Sequence, residues 1–127
     1  MILKYIWLFG ASIFLILGTI HLIYTFYSNK FSSRNAKVIE EMKSSKPILT
    51  NETTIWKAWI GFNASHSSGA MFIGVINIYL AVFYFDTVVN NPFFYLINIS
   101  TVLFYLWLAK RYWFKIPFLG ILTTFLC

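Results

Sequence analysis

The side chains best suited to chemistry in this sequence of 127 residues are its two histidines, His21 and His66. An imidazole ring can bind a metal, exchange a proton near neutral pH, or make hydrogen bonds through either nitrogen. Both histidines lie in long apolar stretches that contain no Asp, Glu, Lys or Arg. Ionisable side chains in such stretches are functional candidates when the stretch crosses a membrane, so these two residues are the first candidates for a binding site.

Helix geometry predicts that the two histidines lie at a similar depth, where they can share one ligand if their helix faces meet. His21 lies about 9 Å along a helix from the interfacial Tyr27, and His66 lies about 10 Å from Trp59. Consecutive membrane helices run antiparallel, which places both imidazoles at a similar depth. Small residues every fourth position let helix backbones approach each other. The predicted site is the seam of these two helices, with His21 and His66 at its centre and Gly18, Asn63, Ser67 and Gly69 around them.

Three interpretations of this seam stay open. The polar side chains could only pair the helices, with each other or with partner chains, as in a structural or assembly subunit. They could instead bind a metal, a quinone, a lipid or another small molecule, with imidazole as ligand or hydrogen-bond partner. In the third interpretation the two histidines hold a single haem b.

Zinc and nucleophilic catalysis are less favoured at this seam. Zinc takes three or four protein ligands, and no cysteine or acid lies at the depth of the histidines. The serines beside His66 are adjacent on a helix and so do not face it. The sequence therefore predicts no metal site and no catalytic residue, and it leans against an enzyme without excluding one.

Composition indicates the solvent in which the seam must form. Hydrophobic residues make up 59% of the chain, aromatic residues 21% and charged residues only 11%. A soluble domain carries about 25% charge, so this chain cannot cover a water-facing surface. The composition excludes a soluble enzyme, a disordered tail and a nucleic-acid-binding domain. It predicts an all-α integral membrane protein in contact with the lipid bilayer. The single cysteine allows neither an intrachain disulfide nor a C-x-x-C redox pair.

The apolar stretches predict a four-helix bundle in a single transmembrane domain of residues 1–127. The helices are expected at about 3–27, 52–86, 92–109 and 112–127. Asn51 is the expected N-cap of the second helix, and Pro92 stands at the first position of the third. The fourth helix is short, because residues 112–127 reach only about 24 Å against a hydrocarbon core of about 30 Å.

The loop at residues 28–51 is the one long polar segment. Its apolar residues Ala36, Val38, Ile39 and Met42 recur at helical spacing among charged residues. This pattern fits a short amphipathic helix on the membrane surface, and it fits equally a solvated loop with one helical turn.

Charge predicts the orientation in the membrane. The net charge is +6, with ten Lys and Arg against four acids. Nine of the ten basic residues lie in the links between helices 1 and 2 and between helices 3 and 4 or in the first turns of the helices that follow them, and only Lys4 lies on the other side. Basic loops face the cytoplasm. We therefore expect a multi-pass protein of the cell membrane with both termini outside. Small residues on the helix faces could also support a homo-oligomer or contact a partner membrane subunit.

Two motifs resemble those of a known group of proteins. Gly18-x-x-His21-Leu22 in helix 1, and the run from Trp56 through Gly61-Phe62-Asn63 and Ser65-His66 to Gly69 in helix 2, look like a group of small bacterial four-helix membrane proteins. The basic and aromatic run at residues 110–118 resembles the same group. The group has no established activity. The resemblance therefore implies a four-helix fold and a bacterial inner membrane, and no function.

Overall fold

The structure is a computed structural model that describes all of residues 1–127. It is helical throughout, without strands, which confirms the predicted all-α class. Three helices, α1, α3 and α5, are long and apolar enough to cross a membrane. In chain order the six helices are α1 (Ile2–Tyr27), α2 (Ala36–Ser44), α3 (Ile55–Phe83), α4 (Phe85–Asn90), α5 (Pro92–Tyr112) and α6 (Lys115–Leu126).

The chain divides into two compact units. The terminal unit consists of Met1–Leu17 and Ala70–Cys127, and the central unit is Gly18–Gly69. Segments of α1, α3, α5 and α6 supply the core of the terminal unit. One residue from each is buried there, and partly buried apolar side chains pack around them. The four are Phe14, Ala70, Ala109 and Ile121.

Close contact between α1 and α3 shapes the terminal unit. A Cβ atom on Gly74 would lie 2.7 Å from the backbone nitrogen of Leu15 and 2.9 Å from the carbonyl oxygen of Ala11. Both neighbours are backbone atoms, which cannot rotate away. Only glycine fits here, as expected where small residues let helix backbones approach.

Helix α6 packs against a different face of α1. The Oγ1 of Thr124 donates to the carbonyl of Gly10 at 3.3 Å, and it also lies 3.2 Å from the carbonyl of Gly120. A Cβ atom on Gly120 would lie 2.8 Å from the Cδ1 of Leu17. Small residues therefore bring α6 close to α1, as they bring α3.

The polar loop of the central unit contains the short amphipathic helix. Helix α2 begins after Asn35, whose Oδ1 accepts a hydrogen bond from the backbone of Lys37. The ammonium group of Lys43 lies 5.5 Å from the ring centroid of Trp56. The backbone nitrogen of Ile55 donates to the carbonyl of Ser45 at 2.9 Å. The sequence is compatible with either a helix or a solvated loop here, and the structure shows the helix. The hydrogen bond between Ile55 and Ser45 joins its end to the start of α3.

The predicted N-cap of the second long helix is wrong. Helix α3 begins at Ile55, and residues 51–53 form bends instead of a first turn. Thr54 takes the capping position, because its Oγ1 accepts a hydrogen bond from the backbone of Lys57 at 3.3 Å. A threonine hydroxyl caps a helix by the same chemistry as an asparagine amide, so the sequence contained two competing caps.

The same helix also ends earlier than predicted, at Phe83 instead of Asp86. The backbone leaves helical geometry at Tyr84, with φ −135° and ψ 30°, and α4 follows. Burial of a side chain in α4 and a hydrogen bond from α1 stabilise the break. Val88 is 1% exposed, and the ammonium group of Lys4 donates to the carbonyl of Val82 at 3.0 Å. The final carbonyls of a helix lack partners, so Lys4 satisfies one that the break leaves open.

The boundary between the last two helices lies later in the sequence than predicted. Asn91 caps α5 and Pro92 is its first residue, as expected. The helix continues to Tyr112 instead of residue 109, because basic residues such as Lys110 are favourable in a last turn. Helix α6 therefore begins only at Lys115 and is 12 residues long. At about 1.5 Å per residue it reaches about 18 Å, still shorter than predicted.

The contact at Gly74 yields a stability test. Gly74→Ala is expected to lower the free energy of unfolding by about 1–3 kcal/mol, because the added methyl group meets two backbone atoms. Gly61→Ala is the matched control, since a Cβ there meets nothing within 4 Å. It should leave stability unchanged or raise it by up to about 1 kcal/mol. Titration with a denaturing detergent, followed by circular dichroism, measures both. Equal stability of the two variants would contradict the close packing.

Candidate functional site

The candidate site lies in the central unit, where His21 of α1 faces Asn63 of α3. The Nε2 of His21 lies 3.0 Å from the Oδ1 of Asn63. The other end of the amide is fixed, because Nδ2 donates to the carbonyl of Trp59 at 2.9 Å. Asn63 therefore presents an acceptor to the ring, and Nε2 must be the donor. This hydrogen bond selects the tautomer of a neutral His21 that carries its proton on Nε2.

The other nitrogen of His21 is available. Once Nε2 donates to Asn63, Nδ1 of the neutral ring is an acceptor, and it makes no hydrogen bond within the protein. The site contains no fully buried side-chain nitrogen or oxygen without a partner, so this nitrogen is reachable from outside. His21 thus combines one fixed nitrogen with one open nitrogen.

His66 lies beside this ring, so the helix faces that carry the two histidines meet. The two imidazole centroids are 5.4 Å apart, with ring planes at 70°. An edge-to-face arrangement at this distance is favourable for aromatic rings. The structure therefore brings together the two histidines, which are 45 positions apart in the sequence.

Of the four other predicted residues, Asn63 and Ser67 make defined contacts. Ser67 is fully buried, and its hydroxyl donates to the carbonyl of Asn63 at 2.6 Å. Gly18 is buried and Gly69 is partly buried. Ser67 therefore supports the turn of α3 that carries Asn63, while the two glycines add only small volume.

Phe31 is a site residue that the sequence did not indicate. Its ring stacks on His21 with centroids 4.3 Å apart and planes at 28°. Its centroid also lies 6.2 Å from that of Tyr24. The available signal was a single aromatic residue in the polar segment after α1, where a phenyl ring needs an apolar contact. Phe31 covers one face of the imidazole and so leaves its edge as the reactive part.

Asn77, in the terminal unit, was also missed. It is 7% exposed, and its Oδ1 accepts a hydrogen bond from the indole Nε1 of Trp7 at 3.1 Å. Its Nδ2 donates to the carbonyl of Ile73. A lone asparagine in the apolar second half of α3 was the signal. Trp7 and Asn77 reproduce the arrangement of His21 and Asn63, because an α3 amide again accepts from an α1 ring.

Comparison with protein-family models, with curated proteins and with solved structures found no match to this chain. The chemistry of the site therefore rests on its own geometry.

The hydrogen bond between His21 and Asn63 can be tested by NMR. We expect the ¹⁵N imidazole spectrum of His21 to show protonated Nε2 and unprotonated Nδ1 in the neutral ring. Asn63→Leu removes the acceptor, so both tautomers should become populated. The lost hydrogen bond should lower stability by about 0.6–1.7 kcal/mol. Asn98→Leu is the control, because its amide donates only to the carbonyl of Phe94 on its own helix. An unchanged His21 spectrum in Asn63→Leu would rule out the interaction.

Proposed function

We propose that this chain is an integral membrane protein, without catalytic activity of its own, that binds a small ligand at His21 and His66. The observation that carries the proposal is the hydrogen bond of His21 to Asn63, which orients one ring nitrogen and leaves the other open beside a second imidazole. A ligand that offers an O–H or N–H group can donate to the Nδ1 of His21. The stacked Phe31 supplies an apolar wall for the rest of that ligand.

The same geometry argues against the haem alternative. A haem iron between two histidines requires one nitrogen of each ring to point at the metal. The Nε2 of His21 points at Asn63 instead. Haem binding through this nitrogen would break that hydrogen bond and leave the amide oxygen without its partner.

The structural alternative is supported by a different face of α3. No atom outside the helix lies within 4 Å of a Cβ placed on Gly61, and Ser65, one turn later, is exposed. An exposed small-xxx-small pair can pack against another membrane helix. In this alternative the chain is a homo-oligomer or an assembly subunit, and the histidines only pair α1 with α3.

We also propose a location and an architecture. The core of the terminal unit, with residues from α1, α3, α5 and α6, supports a four-helix bundle. The three long apolar helices support a place in a membrane. The predicted relation to small bacterial four-helix membrane proteins would make this the bacterial cytoplasmic membrane, and it rests on the quoted motifs.

Glutamine substitutions separate ligand binding from helix pairing. His21→Gln keeps an N–H donor for Asn63 but loses the imidazole. Native mass spectrometry of the protein in mild detergent should show a bound small molecule on the wild type and on Asn90→Leu, a control whose amide donates to the carbonyl of Asp86 and does not line the cavity of the terminal unit. We expect that molecule to be missing from His21→Gln and His66→Gln, with less than about 1 kcal/mol lost in stability. Four identical spectra would contradict the ligand proposal and favour the structural alternative. A Soret band in the wild type, lost in His21→Gln, would establish haem instead.

Cysteine labelling tests the orientation. Cys127 is the one cysteine and is exposed, so a membrane-impermeant maleimide should label it in intact bacterial cells. With Cys127→Ser in place, a cysteine at the exposed position Ser33 should react only after the cells are lysed. The physical reason is the excess of basic residues on the cytoplasmic side. Labelling of Ser33→Cys in intact cells would reverse the proposed topology.

A further inference from the structure

The terminal unit contains a cavity that is separate from the histidine site. Its volume is about 230 Å³, and α1, α3, α5 and α6 all contribute to its lining. Four aromatic rings form much of the wall, and two amides lie among them. These six residues are Trp7, Phe14, Tyr95, Phe125, Asn77 and Asn98.

We propose that this cavity binds the planar head group of a membrane quinone. The rings of Trp7 and Tyr95 pack edge to face, with centroids 5.7 Å apart and planes at 85°. Trp7 is held in place by its hydrogen bond to Asn77. Fixed aromatic walls favour a flat aromatic ligand, because aromatic rings gain from offset and edge-to-face contacts.

The polar groups of the cavity match the carbonyls of a quinone and the hydroxyls of its reduced form. The hydroxyl of Tyr95 makes no hydrogen bond within the protein, and Asn98 uses only its Nδ2, toward the carbonyl of Phe94. Tyr95 can therefore donate to a quinone oxygen, and the Oδ1 of Asn98 can accept from a quinol hydroxyl. A hydrocarbon chain would leave these groups without partners, which is costly away from water.

The size and the opening fit the same ligand. An engineered cavity of about 150 Å³ holds benzene, so about 230 Å³ is suitable for a two-ring naphthoquinone. Ile99 and Phe125 line the cavity and are also 48% and 41% exposed. The cavity is therefore open along this side of the unit. In a bilayer an isoprenoid tail can leave through the opening into the lipid.

Calorimetry on the full chain in lipid nanodiscs tests the proposal. The probe is a dimethylated naphthoquinone, whose methyl groups block addition of the Cys127 thiol, and dimethylnaphthalene is its carbonyl-free match. We expect the quinone to bind at least tenfold more tightly than the hydrocarbon. Tyr95→Phe should weaken quinone binding about three- to tenfold, as expected for one hydrogen bond, and should leave hydrocarbon binding unchanged. Asn98→Leu should weaken binding of the reduced quinol by a similar factor, because only the quinol has a hydroxyl that can donate to Asn98.

A matched pair of variants tests the location. Ile99→Trp fills the cavity and should weaken both ligands at least tenfold. Ile97→Trp should weaken neither, because Ile97 is equally exposed, at 49%, and does not line the cavity. The histidine variants should bind the quinone like the wild type, which separates this site from the proposed one. Equal affinity for quinone and hydrocarbon, equal behaviour of the two tryptophan variants, or loss of quinone binding in His21→Gln would each overturn the proposal.

Discussion

The close approach of α3 to α1 is the constraint on which the rest of the structure depends. Gly74 sits against the backbone of Leu15 and Ala11, where no side chain fits. Gly74 belongs to a stripe of small and polar residues on α3. They are spaced three or four residues apart and so share one face of the helix. Every member except Asn63 is buried, and Asn63 is partly buried. The stripe is Asn63, Ser67, Ala70, Gly74, Asn77 and Ala81.

This small-residue face explains why polar groups can bridge the two helices. Asn63 and Asn77 each donate through Nδ2 to the carbonyl four residues earlier, so each amide oxygen is aimed away from its own helix. In each unit that oxygen accepts from an α1 ring, His21 in one and Trp7 in the other. Both donors and both acceptors are 14 positions apart. The same pairing therefore occurs twice, four helical turns apart on each helix.

Sequence reasoning found what depends on periodicity and depth. It predicted the three long helices, the start of α5 at Pro92, and a similar depth for His21 and His66. It also identified the stripe from Asn63 to Gly74. Asn77 was available as the next position along that stripe, three residues after Gly74. Trp7 lies 14 positions before His21 in α1, which matches the 14 positions from Asn63 to Asn77.

The features that were missed depend on tertiary contacts. A cap at Thr54 outcompeted Asn51 because Ile55 pairs with Ser45 across the loop. The end of α3 at Phe83 involves Lys4, which is 78 positions from its partner Val82, and the burial of the nearby Val88. The charge of Lys110 predicts the end of a helix at residue 109. Charge marks only where an apolar stretch ends, and the backbone helix continues to Tyr112. Phe31 could be placed on His21 only once the loop was folded.

The two asparagine pairs differ in what their donors can still do. An indole has one N–H and no acceptor, so Trp7 is fully used once it bonds to Asn77. An imidazole has a second nitrogen, so the same bond leaves His21 with an acceptor at a defined position. Helix pairing and ligand binding are therefore compatible roles for His21, because the contact that joins the helices also orients the open nitrogen. Trp7 shows that an indole N–H is sufficient to pair α1 with α3. Such a contact needs an imidazole only if the second ring nitrogen makes a further hydrogen bond.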